Sequence, residues 1–340
     1  MKKVLTIGGA TQDVFLESSE IISKNLEISG ISKRFLLIPE SEKIDISAMH
    51  YAIGGGSTNC AASFQKLGFE VEAFFKIGYD ESANFVIKYL ESKNINISNI
   101  SRSKDLKTGI SFILPSQSGE RTVLVYRGAS ASLSEADIAD AMFFKKDLVY
   151  IAPLSEESGS VLCNLIKLAK TNGSLVAVNP SKWQLSHNAE NLKIALKDTD
   201  IFIVNRRESQ VLSLKLFNQE LSIFNSIKKI LEMGPKIAVI TDGKSGVYVG
   251  FEDKVIFHES LKTKVINTVG AGDAFASCFV GSLINFGISE ESIKKSIVYG
   301  LINSSSVISF HDAKEGLLDS DQIESKFKSI GISSFKVISN

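Results

Sequence analysis

The chain has 340 residues, is 44% hydrophobic and carries 38 Lys+Arg against 38 Asp+Glu, a formal net charge of zero. That length suits one large α/β domain with an appendage or two ordinary domains, and it can bury a core without disulfides or metals. The charge balance leaves no field to attract nucleic acid or an anionic membrane, and Cys60, Cys163 and Cys278 and the four scattered histidines have no metal-ligand spacing, so a reducing cytoplasm is the simple expectation.

The apolar run after Met1-Lys2-Lys3 stops at Gly8-Gly9, too early for a signal-peptide core. No segment approaches the length of a membrane span. Residues 4–7 read as a buried first strand, with Gly8-Gly9 as the loop at its carboxyl end. Asp13 follows that loop. Ligands of open α/β sheets bind outside the carboxyl ends of strands, which makes Asp13 a candidate contact; a solvated loop acid would look the same. Residues 35–38 and 44–46 look like short strands, as do 107–115 and 122–127, the last two joined by a turn over 116–120. The two β-like regions are expected to pair into a small sheet beside the main body.

Between them, Gly54-Gly55-Gly56-Ser57-Thr58-Asn59 opens a helix that Gly68 stops. Consecutive glycines cost backbone entropy and mark a close approach to the main chain. Asn59, in the first turn, offers both a donor and an acceptor to a hydroxylated ligand, or else is a helix cap. A strand over 71–77 and a helix over 84–92 follow. From residue 148 strands and helices alternate: strands at 148–152, 175–179, 201–204 and 236–241, helices at 158–171, 191–196 and within 219–233. A hairpin over 246–258 comes next. Such alternation argues for a mainly parallel sheet covered on both faces.

The last distinctive stretch is Asn267-Thr268-Val269-Gly270-Ala271-Gly272-Asp273. Apolar Lys264-Val265-Ile266 before it reads as a strand end. Phe275, Phe279, Leu283 and Phe286 after it fall at helical spacing up to Gly287. Glycines at a helix start expose N–H groups that favour an anion. A carboxylate beside an anion site is repelled in passive storage, but is useful as a base that deprotonates a nucleophile attacking a phosphoryl group. A tight turn with a helix-start acid fits the same residues. Helices over 291–306 and 321–330 complete the chain.

With residues 54–59 and 270–273 both in view, the chain resembles the ribokinase-like family of sugar and nucleoside kinases, the PfkB carbohydrate kinases. The first signature is carried by Gly54, Gly55 and Asn59, the second by Thr268, Gly270, Ala271, Gly272, Asp273 and Phe275. The resemblance implies an α/β fold over residues 1–340: a three-layer αβα sandwich with a mostly parallel sheet and a small β lid formed by about 14–52 and 105–127. It implies ATP-dependent phosphorylation of a sugar or sugar derivative, with Asp273 as base and the Gly270, Ala271 and Gly272 backbone as anion hole. Asp13, Gly54, Gly55 and Asn59 are then expected to hold the acceptor, and Arg127 either reaches an anionic group or is a lid-surface residue. Asn205, Thr241, Gly243, Gly246, Thr268 and Asn303 are expected at the nucleotide, and Glu208 at Mg²⁺ through water. Asn267 stands where the family commonly has Asp, which weakens the case for K⁺. Gly56-Ser57-Thr58 lacks the lysine of ribokinases proper, and Ile151-Ala152-Pro153-Leu154 lacks their sugar-site acid. A nucleoside kinase, with Phe15, Phe35 and Phe112 as stacking surfaces, and a catalytically silent binder are the alternatives. A homodimer through the lid is implied.

Overall fold

Strand β1 (Lys3–Ile7) is apolar on both faces, the pattern of a strand covered above and below. The computed structural model, which describes residues 1–28, 30–116, 121–331 and 335–339, continues through β2 (Thr11–Glu17), the hairpin β3 (Ile22–Ile28) and β4 (Ile31–Leu37), and β5 (Ala48–Gly54). Then come α1 (Gly56–Lys66), β6 (Glu70–Phe74), the short β7 (Lys76–Ile77), α2 (Glu81–Ser92), β8 (Ser101–Arg102), β9 (Gly109–Pro115) and β10 (Arg121–Tyr126). The regular half consists of β11 (Leu148–Ile151), α3 (Glu157–Ser160), α4 (Leu162–Thr171), β12 (Leu175–Val178), α5 (Lys182–His187), α6 (Ala189–Leu196), β13 (Ile201–Asn205), α7 (Arg206–Phe217), α8 (Ile223–Glu232), β14 (Ile237–Thr241), β15 (Val247–Phe251) and β16 (Lys254–His258). The chain finishes with α9 (Ala271–Phe286), α10 (Glu290–Val307), α11 (Ser320–Ile330) and β17 (Lys336–Ser339).

The large sheet runs β17-β16-β15-β14-β13-β12-β11-β1-β6. It is parallel from β6 to β14 and antiparallel beyond. Successive strand residues point to opposite faces, so Leu148 and Tyr150 join Phe64, Phe275, Phe279 and Ile297 in one core layer. Val149 and Ile151 join Leu165, Leu192, Leu212 and Ile227 in the other. Three layers result, with α1, α9 and α10 on one face and α4, α6, α7 and α8 on the other.

The small sheet has the order β10-β9-β2-β5. Its register places Thr11, Asp13 and Phe15 on the same face as Ala52 and His50 of β5 and Ser111 and Ile113 of β9, with Val125 of β10 alongside. Met49, Tyr51, Phe112, Leu124 and Tyr126 lie on the opposite face and are exposed.

Several expectations change. Asp13 sits inside β2, hydrogen-bonded in register between two strands, and not on a loop. Residues 44–46 form no strand. Lys264-Val265-Ile266 forms no strand: the N–H groups of Ile266 and Asn267 both donate to the carbonyl of Ile308. The expected strand over 71–77 breaks at Phe75, and the helix over 158–171 breaks at Val161. Of the turn over 116–120, residues 117–120 lie outside the described residues. No helix among the described residues is long and apolar enough to cross a membrane.

Candidate functional site

The site is built where the N-termini of α1 and α9 converge. Helix α9 begins at Gly270, whose φ of 76° is left-handed, and no side chain caps the helix. The Ala271 N–H makes a long bond to the Thr268 carbonyl at 3.4 Å, while the Gly272 and Asp273 N–H groups have no partner within the helix and face the position where an anion is favoured. Helix α1 begins at Gly55, again with no side-chain cap. Thr58 Oγ1 turns back to donate to the Gly54 carbonyl at 2.7 Å.

The two helices are joined by a polar contact. Asn59 Nδ2 donates to Asp273 Oδ2 at 2.8 Å, and the Cys60 thiol lies 3.9 Å from Asp273 Oδ1. Burial pushes the Asp273 carboxyl above its ordinary value, opposed by the Asn59 amide, the Lys314 ammonium and the Cys60 thiol. Cys60 is itself pushed up by burial, then by the Asp273 charge, so it stays a thiol donor. A carboxylate tuned upward is a better proton acceptor than an exposed one.

Asp13 reaches the same centre from the small sheet. It is almost fully buried, accepts from Thr11 Oγ1 at 2.9 Å and also from the Ser111 hydroxyl. Burial again raises its carboxyl above the usual range. A Cβ at Gly54 would lie 2.2 Å from Asp13 Oδ2, so this carboxylate fits only against glycine.

Two clefts open near Asp273, which lines neither but lies close enough to Glu208 for its charge to be felt there. One, of about 380 Å³, is lined by Asn205, Glu208, Thr241, Gly243, Gly246, Ala271, Gly272, Leu301 and Ser304 among others. The other, of about 300 Å³, is lined by Gly9, Thr11, Gly55, Gly56, Arg127, Pro153, Lys182, Trp183 and Glu208 among others. Glu208 lines both. It forms a capping box with Asn205: Glu208 Oε2 accepts the Asn205 N–H at 2.8 Å, and Asn205 Oδ1 accepts the Glu208 N–H at 2.9 Å. Burial raises its carboxyl too. The 205–208 and 241–246 turns are tied together by Arg206 and Asp242, 3.1 Å apart. Thr268 Oγ1 accepts from the guanidinium of Arg121, the first residue of β10, a contact from the small sheet to the turn before Gly270.

Asn303 is placed differently from expectation. It is fully buried, donating to the Ala274 carbonyl at 3.1 Å and accepting the Leu318 N–H at 3.0 Å. It braces α10 against α9 and does not line the first cleft, where α10 presents Leu301 and Ser304 instead. Val265, read from the sequence as part of a strand end, is 56% exposed in the unpaired segment. Sequence reasoning missed Lys182 and Trp183, which enter the second cleft from α5, and the buried Lys314, whose ammonium donates to Asn59 Oδ1 and to the Ile53 carbonyl.

The chain is 27% identical to a ribokinase of Staphylococcus aureus over 224 residues, 66% of this chain and 71% of that protein. It is 26% identical to a 5-dehydro-2-deoxygluconokinase of Halalkalibacterium halodurans over 284 residues, 80% of this chain and 84% of the other. Among solved structures, a putative ribokinase II from E. coli in complex with ATP and Mg²⁺ aligns over 97% of this chain and 100% of its own, with a TM-score of 0.76 at 19% identity, a likeness of fold. Residues 21–317 match the family described as pfkB family carbohydrate kinase; that is most of the chain, and the protein belongs to this family of ATP-dependent kinases, which transfer phosphate to a hydroxyl.

Proposed function

We propose that the protein phosphorylates a hydroxyl of a sugar derivative that carries an anionic group, with Asp273 as general base. The observation that carries this reading is the meeting of two clefts at Glu208, with the Asp273 carboxylate and the uncapped α9 N-terminus beside the junction. ATP in the first cleft would lay its phosphates along the Gly243 and Gly246 turn and the Ala271 and Gly272 N–H groups. The acceptor in the second would rest against Thr11 and the Gly55-Gly56 backbone, while Asp13, Gly54 and Asn59, which line neither cleft, would have to reach it from behind that wall. Asp273 takes the proton of the acceptor hydroxyl, that oxygen bonds to the γ-phosphorus, and the bond to the β–γ bridging oxygen breaks to release ADP. The N–H groups of the first turn of α9 stabilise charge on the transferring oxygens.

Magnesium fits this donor set. Glu208 uses one oxygen on Asn205 and keeps another, which suits a cation that binds through one or two carboxylates, phosphates and several waters. Bound there, Mg²⁺ would neutralise charge on the β- and γ-phosphates. A monovalent cation beside Asn267 fits poorly. Asn267 Oδ1 accepts the Val269 N–H at 3.0 Å, so its Nδ2 is the end that donates to the His311 carbonyl. An amide donor thus occupies an oxygen that a cation would need.

The anionic character of the acceptor rests on Arg127 and Lys182. Both line the second cleft, and neither makes an ion pair among the described residues. A sugar acid or sugar phosphate supplies the missing charge. The nucleoside reading is weakened because Phe112 lies on the outer face of the small sheet, leaving Phe15 as the aromatic residue of β2 and β9 on the inner one.

The test is ADP release from Mg·ATP with neutral sugars, sugar acids, sugar phosphates and nucleosides. An anionic sugar is expected to give the strongest response. Arg127→Ala and Lys182→Ala should each raise its KM roughly tenfold, the scale of a lost charge-assisted hydrogen bond, with KM for ATP unchanged. A neutral sugar or a nucleoside as sole acceptor rejects the anionic group. No ADP with any acceptor, although ATP binds, favours the silent binder.

We also read the outer face of the small sheet as the surface through which two copies pair. Met49, Tyr51, Phe112, Leu124 and Tyr126 expose an apolar patch there. Light scattering should give the mass of two chains, and Leu124→Glu the mass of one; a monomeric parent chain refutes the pairing.

A further inference from the structure

Lys314 follows a turn made by Asp312, whose Oδ1 accepts the N–H groups of Lys314 at 2.7 Å and Glu315 at 2.8 Å. From there the side chain runs inward and is only 8% exposed. Its ammonium lies 5.9 Å from the centre of the Tyr89 ring and donates to the Ile53 carbonyl and to Asn59 Oδ1. Among the described residues it makes no direct ion pair. An ammonium taken out of water costs several kcal/mol unless charges or hydrogen bonds compensate it. Here the charges stand off: Asp13 on β2, Asp273 on α9 and Asp312 on its own turn, with the Cys60 thiol on α1. Lys66, Lys93 and Glu315 line the outer side of the same hollow. Burial outweighs the three carboxylates and brings the ammonium down to about 8.

The consequence falls on Asn59. An ammonium has donors only, so the atom it bonds is the amide oxygen. The NH₂ end is then turned to Asp273, where it donates at 2.8 Å. The amide cannot flip without setting donor against donor. We propose that Lys314 is a positioning residue, locking the Asn59 amide so that the Asp273 carboxylate is aimed, while its positive charge keeps that carboxylate ionised and ready to accept a proton. The assignment rests on the kinase reading of Asp273.

The experiment is a ¹³C carboxyl titration of Asp273 without substrates, in the parent protein and in Lys314→Met, which keeps the stem and removes the charge. The Asp273 midpoint is expected to move to higher pH in the variant. In turnover, kcat should fall roughly tenfold or more for a displaced base, with KM for Mg·ATP unchanged. The acid limb of kcat should move up with the titration. Lys314→Gln, a neutral donor to Asn59, should shift the midpoint like Met but lose less kcat. A folded Met variant with an unmoved Asp273 midpoint overturns the proposal. Lost activity with an unmoved midpoint leaves Lys314 a merely structural residue, which also overturns it. A parent protein that turns over no acceptor overturns the kinase reading alone, since the titration needs none.

Discussion

Asp273→Asn should lower kcat by about a thousandfold, within the 10²–10⁴ range of a positioned general base. The Kd for Mg·ATP should stay within about threefold of the parent value, because the change touches one oxygen of the side chain and leaves the first-turn N–H groups in place. The variant should remain folded. An amide oxygen can still accept from Asn59 Nδ2, now at 2.8 Å from Asp273, and removing a carboxylate whose charged form burial disfavours relieves a cost. Its Tm should therefore not fall. The parent pH profile carries the same assignment. A base with a raised carboxyl loses activity as pH falls through a value above the ordinary 3.9 or so of Asp, and Asp273→Asn should erase that limb along with the rate. A variant turning over within tenfold of the parent removes Asp273 from the base role.

What could be read in the chain and what could not follow from distance and pattern. Gly270, Gly272 and Asp273 are neighbours in one helical turn, so their geometry was present in four consecutive letters. β14, Ile-Ala-Val-Ile-Thr, is an apolar run because helices cover both its faces. β2 was hard to read because its inner face carries Thr11 and Asp13, polar residues that serve the site and break the alternation of a half-buried strand. α7 hid for another reason. Ser209 and Ser213 occupy its buried positions, with hydroxyls returned to the carbonyls of Arg206 and Gln210 at 2.8 and 2.9 Å, while Leu214 faces outward at 44% exposure. Lys264-Val265-Ile266 made the opposite error: its residues favour a strand, but no neighbouring strand pairs with it. Lys314 was beyond reach altogether. It bonds a residue 255 positions away, and between Asp312 and Glu315 a lysine reads as part of a solvated loop.

The two glycines of the α9 turn should part company when each is replaced by alanine. Gly270 has φ 76°, a region that costs an L-residue about 1–2 kcal/mol, and a Cβ there would sit 2.4 Å from Ala313 Cβ and 2.9 Å from its Cα. Relief requires the 311–315 turn to move, and that turn carries Lys314 toward Asn59. Gly270→Ala is therefore expected to lower Tm and to lower kcat at least a hundredfold together, as a misplacement of the catalytic pair. Gly272 is helical, and a Cβ on it meets nothing within 4 Å. Alanine there gains about 1 kcal/mol of helix propensity, so Gly272→Ala should raise Tm. That open space lies in the wall of the first cleft, where the transferring phosphate is proposed to approach the backbone. The same methyl should then raise KM for ATP and depress kcat in a protein that is more stable than its parent. Thermal unfolding and steady-state kinetics on both variants separate the cases. If Gly272→Ala keeps parent KM and kcat, no phosphate comes close to that turn, and the anion hole must be sought elsewhere; if it gains stability while losing turnover, the glycine is there for the ligand and not for the fold.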